Sequence, residues 1–95
     1  MNIIYDLPPH LPENTYCSID SEWAGLNQAT LHRPTTGKFA CLTLCYEPDT
    51  VYFIDDEKKV PEALSRIENC VWLIQHAKFD ITHLRRLASI PPRKK

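Results

Sequence analysis

Residues 39–46, Phe-Ala-Cys-Leu-Thr-Leu-Cys-Tyr, are apolar at nearly every position, and no other stretch constrains the fold as strongly. A run of this length and kind reads as a central β-strand. Glu47, Pro48 and Asp49 make a turn, and Val51–Ile54 (VYFI) returns as the second arm of a hairpin. Upstream, Thr15–Glu22 (TYCSIDSE) begins with β-favouring residues and predicts a further strand. Between them, residues 23–38 carry Gly25, Pro34, a Thr-Thr pair and Gly37, the marks of a long polar loop. Residues 1–14 hold Pro8, Pro9 and Pro12 and read as a leader running over the surface.

After the hairpin the period changes. Val60, Ala63, Leu64 and Ile67 recur at helical spacing, with Pro61 in the first turn, where its missing N–H costs nothing, and Asn69 as a stop. Val71–Ile74 (VWLI) predicts a short buried strand, and a second helix follows from about Lys78 to Ser89, ended by Pro91-Pro92. The order is β-β-β-α-β-α. A strand reached through a helix implies a parallel crossover, hence a mixed α/β sheet. The expected organisation is a leader (1–14), one domain (15–90) and a basic tail (91–95).

With 95 residues the chain supports one small domain, and its net charge of −1 gives no global basic field for nucleic acid. Such binding needs a local patch or bound cations. The first eleven residues have no basic n-region, and nothing approaches the roughly 18 apolar residues of a membrane span. Cys17, Cys41, Cys45 and Cys70 lie in apolar stretches and read as buried reduced thiols rather than zinc ligands. These features predict a cytoplasmic protein without a membrane partner.

Three carboxylates carry the chemistry. Asp20 and Glu22 are two apart at the end of the first predicted strand, so both project from one face while Ser21 points away. Paired acids near a core are costly unless a cation neutralises them, and hard Mg²⁺ or Mn²⁺ favours such oxygen donors. Taken alone, the pair reads more readily as a solvated strand edge, since acids at strand ends are common. Asp80, Leu84 and Leu87 follow i, i+4, i+7 on the second helix, which turns Asp80 inward or towards a cleft, or sets it to complement the helix dipole. Strand and helix meet at the carboxyl edge of the sheet, where ligands of α/β proteins bind, so three acids can converge.

The segment SIDSEWAGLN (Ser18–Asn27) resembles the first motif of the DEDD superfamily of 3′–5′ exonucleases, a strand bearing D-x-E. The segment QHAKFDITHL (Gln75–Leu84) resembles the second, N-x-x-F/Y-D. The flavour is that of the proofreading domain of bacterial DNA polymerase I, with ribonuclease D next, and the resemblance covers residues 15–92. It implies a ribonuclease H-like sheet of order 3-2-1-4 in the predicted strands. It also implies metal-dependent hydrolysis of 3′-terminal phosphodiesters of single-stranded DNA or RNA. Asp20, Glu22 and Asp80 become catalytic metal ligands for two Mg²⁺ or Mn²⁺ ions. Trp23, Leu26, His76 and Phe79 become nucleic-acid contacts, with Trp23 serving alternatively as hydrophobic cover of the sheet edge.

The match departs from the family in two places. His76 stands where Asn is usual, and His76, Asp80 and His83 can be misread as a zinc motif. The third motif, Tyr-x3-Asp or His-x4-Asp, has no counterpart before Pro91-Pro92-Arg93-Lys94-Lys95. The resemblance therefore implies a domain truncated before its last strand and carboxy-terminal helices, without the fourth carboxylate and inactive alone. A second polypeptide carrying the third motif is the expected partner, and the bare sheet edge invites one. Alternatives are a catalytically inactive nucleic-acid-binding or partner-docking half-domain, and a metal-binding protein of unrelated chemistry. Arg85, Arg86, Arg93, Lys94 and Lys95 read as a solvated helix end or as phosphate contacts.

Overall fold

The computed structural model describes residues 2–24, 37–88 and 90, the side chain of Phe79 excepted. Strands β1 (Asn2–Ile4), β2 (Tyr16–Ala24), β3 (Lys38–Glu47), β4 (Thr50–Ile54) and β5 (Val71–Leu73) form one sheet. Their order across it is β1-β4-β3-β2-β5. Helix α1 (Val60–Arg66) follows a 3₁₀ turn at Glu57–Lys59, and α2 (Ala77–Leu84) follows β5. The expected 3-2-1-4 order is present as β4-β3-β2-β5. The β3–β4 and β2–β3 pairs are antiparallel, while β5 runs parallel to β2 through the α1 crossover.

Strand alternation sorts the side chains. Along β2, Cys17, Ile19, Ser21 and Trp23 are buried, while Tyr16, Ser18, Asp20 and Glu22 are exposed. The buried set meets Leu42 and Leu44 of β3, Ile54 of β4, Val60, Ala63 and Leu64 of α1, Ile67 and Leu84 in a single core. Each Val, Leu or Ile among them contributes roughly 1.5–3 kcal/mol when withdrawn from water. Burial also pushes the Cys17 thiol up to about 12, so it stays a protonated, inert core group.

The amino-terminal segment departs from the sequence reading. Residues 2–4 do not run over the surface as leader but pair in parallel with β4 as an edge strand. Their three residues are too few to show a period, and the prolines that follow mask them. Downstream, Pro8 and Leu11 are buried. Leu11 N–H donates to the Arg66 carbonyl at 2.9 Å, and Arg66 Nη1 donates to the Pro8 carbonyl at 3.0 Å, so the segment is tied to the end of α1. A second departure is at α2, which closes at Leu84 rather than Ser89. Beyond it the N–H groups of Arg86 and Leu87 reach back three residues, to His83 and Leu84, a 3₁₀-like tightening. The first strand also runs two residues past Glu22, to Ala24. Gly37, at φ 85°, takes the left-handed conformation that leads into β3.

Candidate functional site

Asp20 and Glu22 occupy the last part of β2, exposed on the sheet face turned away from both helices. Across the ladder they stand opposite Thr43 and Cys41. A bulge lies beside them: Glu22 pairs with Cys41 but Trp23 with Phe39, leaving Ala40 as the extra residue. Among the described residues neither carboxylate has an ion pair. Their field is felt nearby. The Cys41 thiol is raised by burial first and then by the charges of Glu22, Asp20 and Asp55. Asp55, just past β4, is thus a third acid at this edge that the sequence reading passed over; the only signal was its place at the end of the return strand.

Asp80 sits in the first turn of α2 and is 3% exposed. Its carboxylate accepts from the Ser21 hydroxyl, and Ser21 Oγ in turn accepts from Trp23 Nε1 at 2.9 Å. Ser21 points to the helical face, away from its neighbours Asp20 and Glu22. The three sequence-identified acids therefore gather at the same edge but on opposite faces of β2. Burial pushes the Asp80 carboxyl above the ordinary aspartate range, and the charge of Asp20 adds to this. The Ser21 hydroxyl and backbone N–H and the charge of His76 pull it back.

A carboxyl with a raised native value holds its proton more tightly when folded. Its stabilising contribution is full below the ordinary aspartate value and is lost as pH rises through the window up to the raised value. Asp80→Asn is accordingly expected to raise the melting temperature at pH 7 by about 2–5 °C. The difference should close below about pH 4, as followed by calorimetry across pH. A lower melting temperature for the variant at pH 7 would mean that Ser21 stabilises the ionised form by more than burial opposes it.

Trp23 is placed where the nucleotide-contact expectation did not put it. Its indole, 9% exposed, lies on the helical face, edge-on to Phe39 at 5.5 Å and tilted on buried His83 at 5.1 Å. The Arg86 guanidinium covers it at 5.4 Å and donates to the Gly37 carbonyl at 3.1 Å. Strand alternation alone dictates this, because Trp23 shares the parity of Ile19 and Ser21. Arg86, read as part of a solvated basic end, is employed in that packing. His76 is exposed at the start of α2, with no side-chain capping bond. Leu26, the side chain of Phe79 and the tail 91–95 lie outside the described residues.

Two adjacent, outward carboxylates suit a divalent cation, but they offer too few oxygens to hold one tightly. Among the described residues no group of three or more His, Cys, Asp or Glu side chains is placed to share a metal ion. The pair fits a cation; with Asp80 turned to Ser21, the triad does not.

The fold has solved counterparts. Brucella melitensis NrnC matches over 98% of this chain with a TM-score of 0.72 and 20% identity. A structure of Brucella melitensis NrnC with bound Mg²⁺ also matches over 98% of the chain, at a TM-score of 0.66 and 19% identity. The chain spans about half the length of these structures, 47% and 48%. No family model matches the sequence, and no curated protein does. The shared fold is a ribonuclease H-like mixed α/β sheet.

Proposed function

We propose that this chain is the amino-terminal portion of a DEDD-type 3′–5′ exonuclease domain acting on single-stranded DNA or RNA. Asp20 and Glu22 are the metal ligands on this reading, and Asp80, held by Ser21 on the helical face, corresponds to the acid of the second motif. The observation that carries it is the D-x-E pair, exposed and free of ion pairs among the described residues, at the carboxyl edge of β2. Mg²⁺ in one of the NrnC structures accords with the chemistry of that pair. A bound divalent ion supplies Lewis-acid stabilisation of the phosphodiester and activation of water. The chain's own contribution is to fix two carboxylates on β2, a strand paired on both sides. Further ligands come from a second polypeptide segment bearing the third motif.

The Ser21–Asp80 contact and the inward Trp23 favour one other reading, a catalytically inactive half-domain that docks a partner. The two separate in one assay. A 5′-labelled single strand is incubated with Mn²⁺ and the chain, with and without a synthetic polypeptide carrying the third motif. We expect no shortening by the chain alone and a 3′-to-5′ ladder with the polypeptide. An intact strand under both conditions leaves the docking reading.

A further inference from the structure

We infer that Lys38 is a phosphate-binding residue, whose ammonium group holds a backbone phosphate of a single strand beside the Asp20–Glu22 pair. The inference rests on the exonuclease reading for the identity of its ligand, and its test separates the two.

Among the described residues Lys38 is the one Lys or Arg carried by any strand. The bulge at Ala40 decides which way it faces. An unbroken ladder continuing from Glu22 and Cys41 would set Ala40 opposite Trp23 and Phe39 opposite Ala24, sending Lys38 to the helical face. Instead the extra residue shifts the register, so that Phe39 meets Trp23 and Lys38 stands opposite Ala24. Phe39 accordingly packs edge-on against the inward Trp23 indole. Ala24 shares the parity of Asp20 and Glu22, and directly opposed residues share a face. One inserted residue thus moves a lysine from the core side to the side of the two carboxylates. Bulges beside functional sites re-aim side chains in this way.

Distance and charge suit a phosphate. Lys38 is diagonal to Glu22 across the ladder, about 7–8 Å away between backbones. Its flexible four-carbon stem carries the ammonium over most of that span. Lys38 is nevertheless exposed, and among the described residues it forms no ion pair. Nor does it guard an edge against strand pairing, since β3 is the middle strand of five. The remaining charge beside the pair is Asp55, whose field reaches Cys41 from the end of β4. With the charge of Asp20 and Glu22 cancelled by a divalent ion, Lys38 offsets Asp55. A strand whose phosphate lies at the pair then meets Lys38 as the cation of that face. An ammonium is a compact point charge, and a phosphate contact reads neither base nor sequence. The contact should therefore serve DNA and RNA alike.

The test titrates a labelled oligothymidylate of about ten nucleotides with the chain in Ca²⁺, with and without the third-motif polypeptide, across a range of KCl. Lys38→Met should weaken binding about fivefold at about 0.1 M KCl. It should also flatten the slope of log affinity against log salt by about 0.7, the share of one phosphate on a single strand. Lys38→Arg should restore the slope. A strand with neutral methylphosphonates at its 3′-terminal linkages should bind the unaltered chain and Lys38→Met alike. In the complemented domain with Mn²⁺, Lys38→Met should raise KM about fivefold with kcat held within about twofold. An unchanged salt slope in Lys38→Met overturns the proposal, as does failure of the strand to bind in either mixture. A difference that persists on the methylphosphonate strand overturns it too, in favour of a general field effect. Shortening by the complemented domain with an unchanged slope removes Lys38 alone. A flattened slope without shortening under any condition removes the exonuclease reading and leaves Lys38 a phosphate contact of a binding half-domain.

Discussion

Asp20→Asn is expected to lower strand shortening by the complemented domain about 10³-fold, the scale on which losing one member of a jointly acting set operates. The substitution is nearly isosteric and removes one negative charge from the outward pair. Because Asp20 is exposed and makes no side-chain hydrogen bond among the described residues, its replacement should leave stability within about 0.5 kcal/mol. Thr43 Oγ1 donates to the Asp20 backbone carbonyl at 3.4 Å, and that contact survives the change. Loss of shortening with an unchanged melting curve therefore assigns the effect to the site. Shortening that persists within about threefold of the unaltered chain would remove Asp20 from the chemistry, far from the 10³-fold expected.

Trp23→Ala should act on stability to a comparable extent. The indole is enclosed by Phe39, His83 and Arg86 and donates to Ser21. Truncating a buried Trp costs about 3–5 kcal/mol in cavity and lost packing. Small domains hold only about 5–15 kcal/mol in total. A fall in melting temperature of about 15–30 °C is expected, with the urea midpoint shifted to match. Trp23→Phe keeps most of the ring but removes the N–H that Ser21 Oγ accepts, and should cost about 1–2 kcal/mol. A cost below about 1 kcal/mol for Trp23→Ala would show that the indole is not part of the core.

The two substitutions bracket what was legible in the residues. Alternation along TYCSIDSE identifies the face shared by Asp20 and Glu22, and the helical period of Val60, Ala63, Leu64 and Ile67 identifies the crossover. Those are local regularities, carried by the strand and helix themselves. Those regularities implied only a parallel crossover and a mixed sheet; the strand order came with the family resemblance of the two motifs. Asp80 was legible as an inward residue, but the face it reaches was not. Its helix approaches β2 from the core side and so meets Ser21, the residue whose parity opposes Asp20. The same parity takes Trp23 inward, in keeping with its alternative reading as hydrophobic cover rather than as a nucleotide contact. Strand β1 was hidden for a different reason: its pairing with β4 is long-range, and its neighbours, Pro8 and Pro9, argue locally against a sheet. Asp55 reaches the acid edge only through the register of β4 on β3, which no local pattern encodes.

The distribution of strand lengths governs where the molecule opens. Strands β1 and β5 have three residues each and lie at the margins, whereas β2 and β3, with nine and ten, share the central ladder. Fraying of either margin is a local event of low free energy. Separating β2 from β3 dismantles the core and so requires the full cost of unfolding. Asp20 and Glu22 are mounted on that last-opening ladder. Their relative position thus persists through every partial opening and is surrendered only with the fold itself.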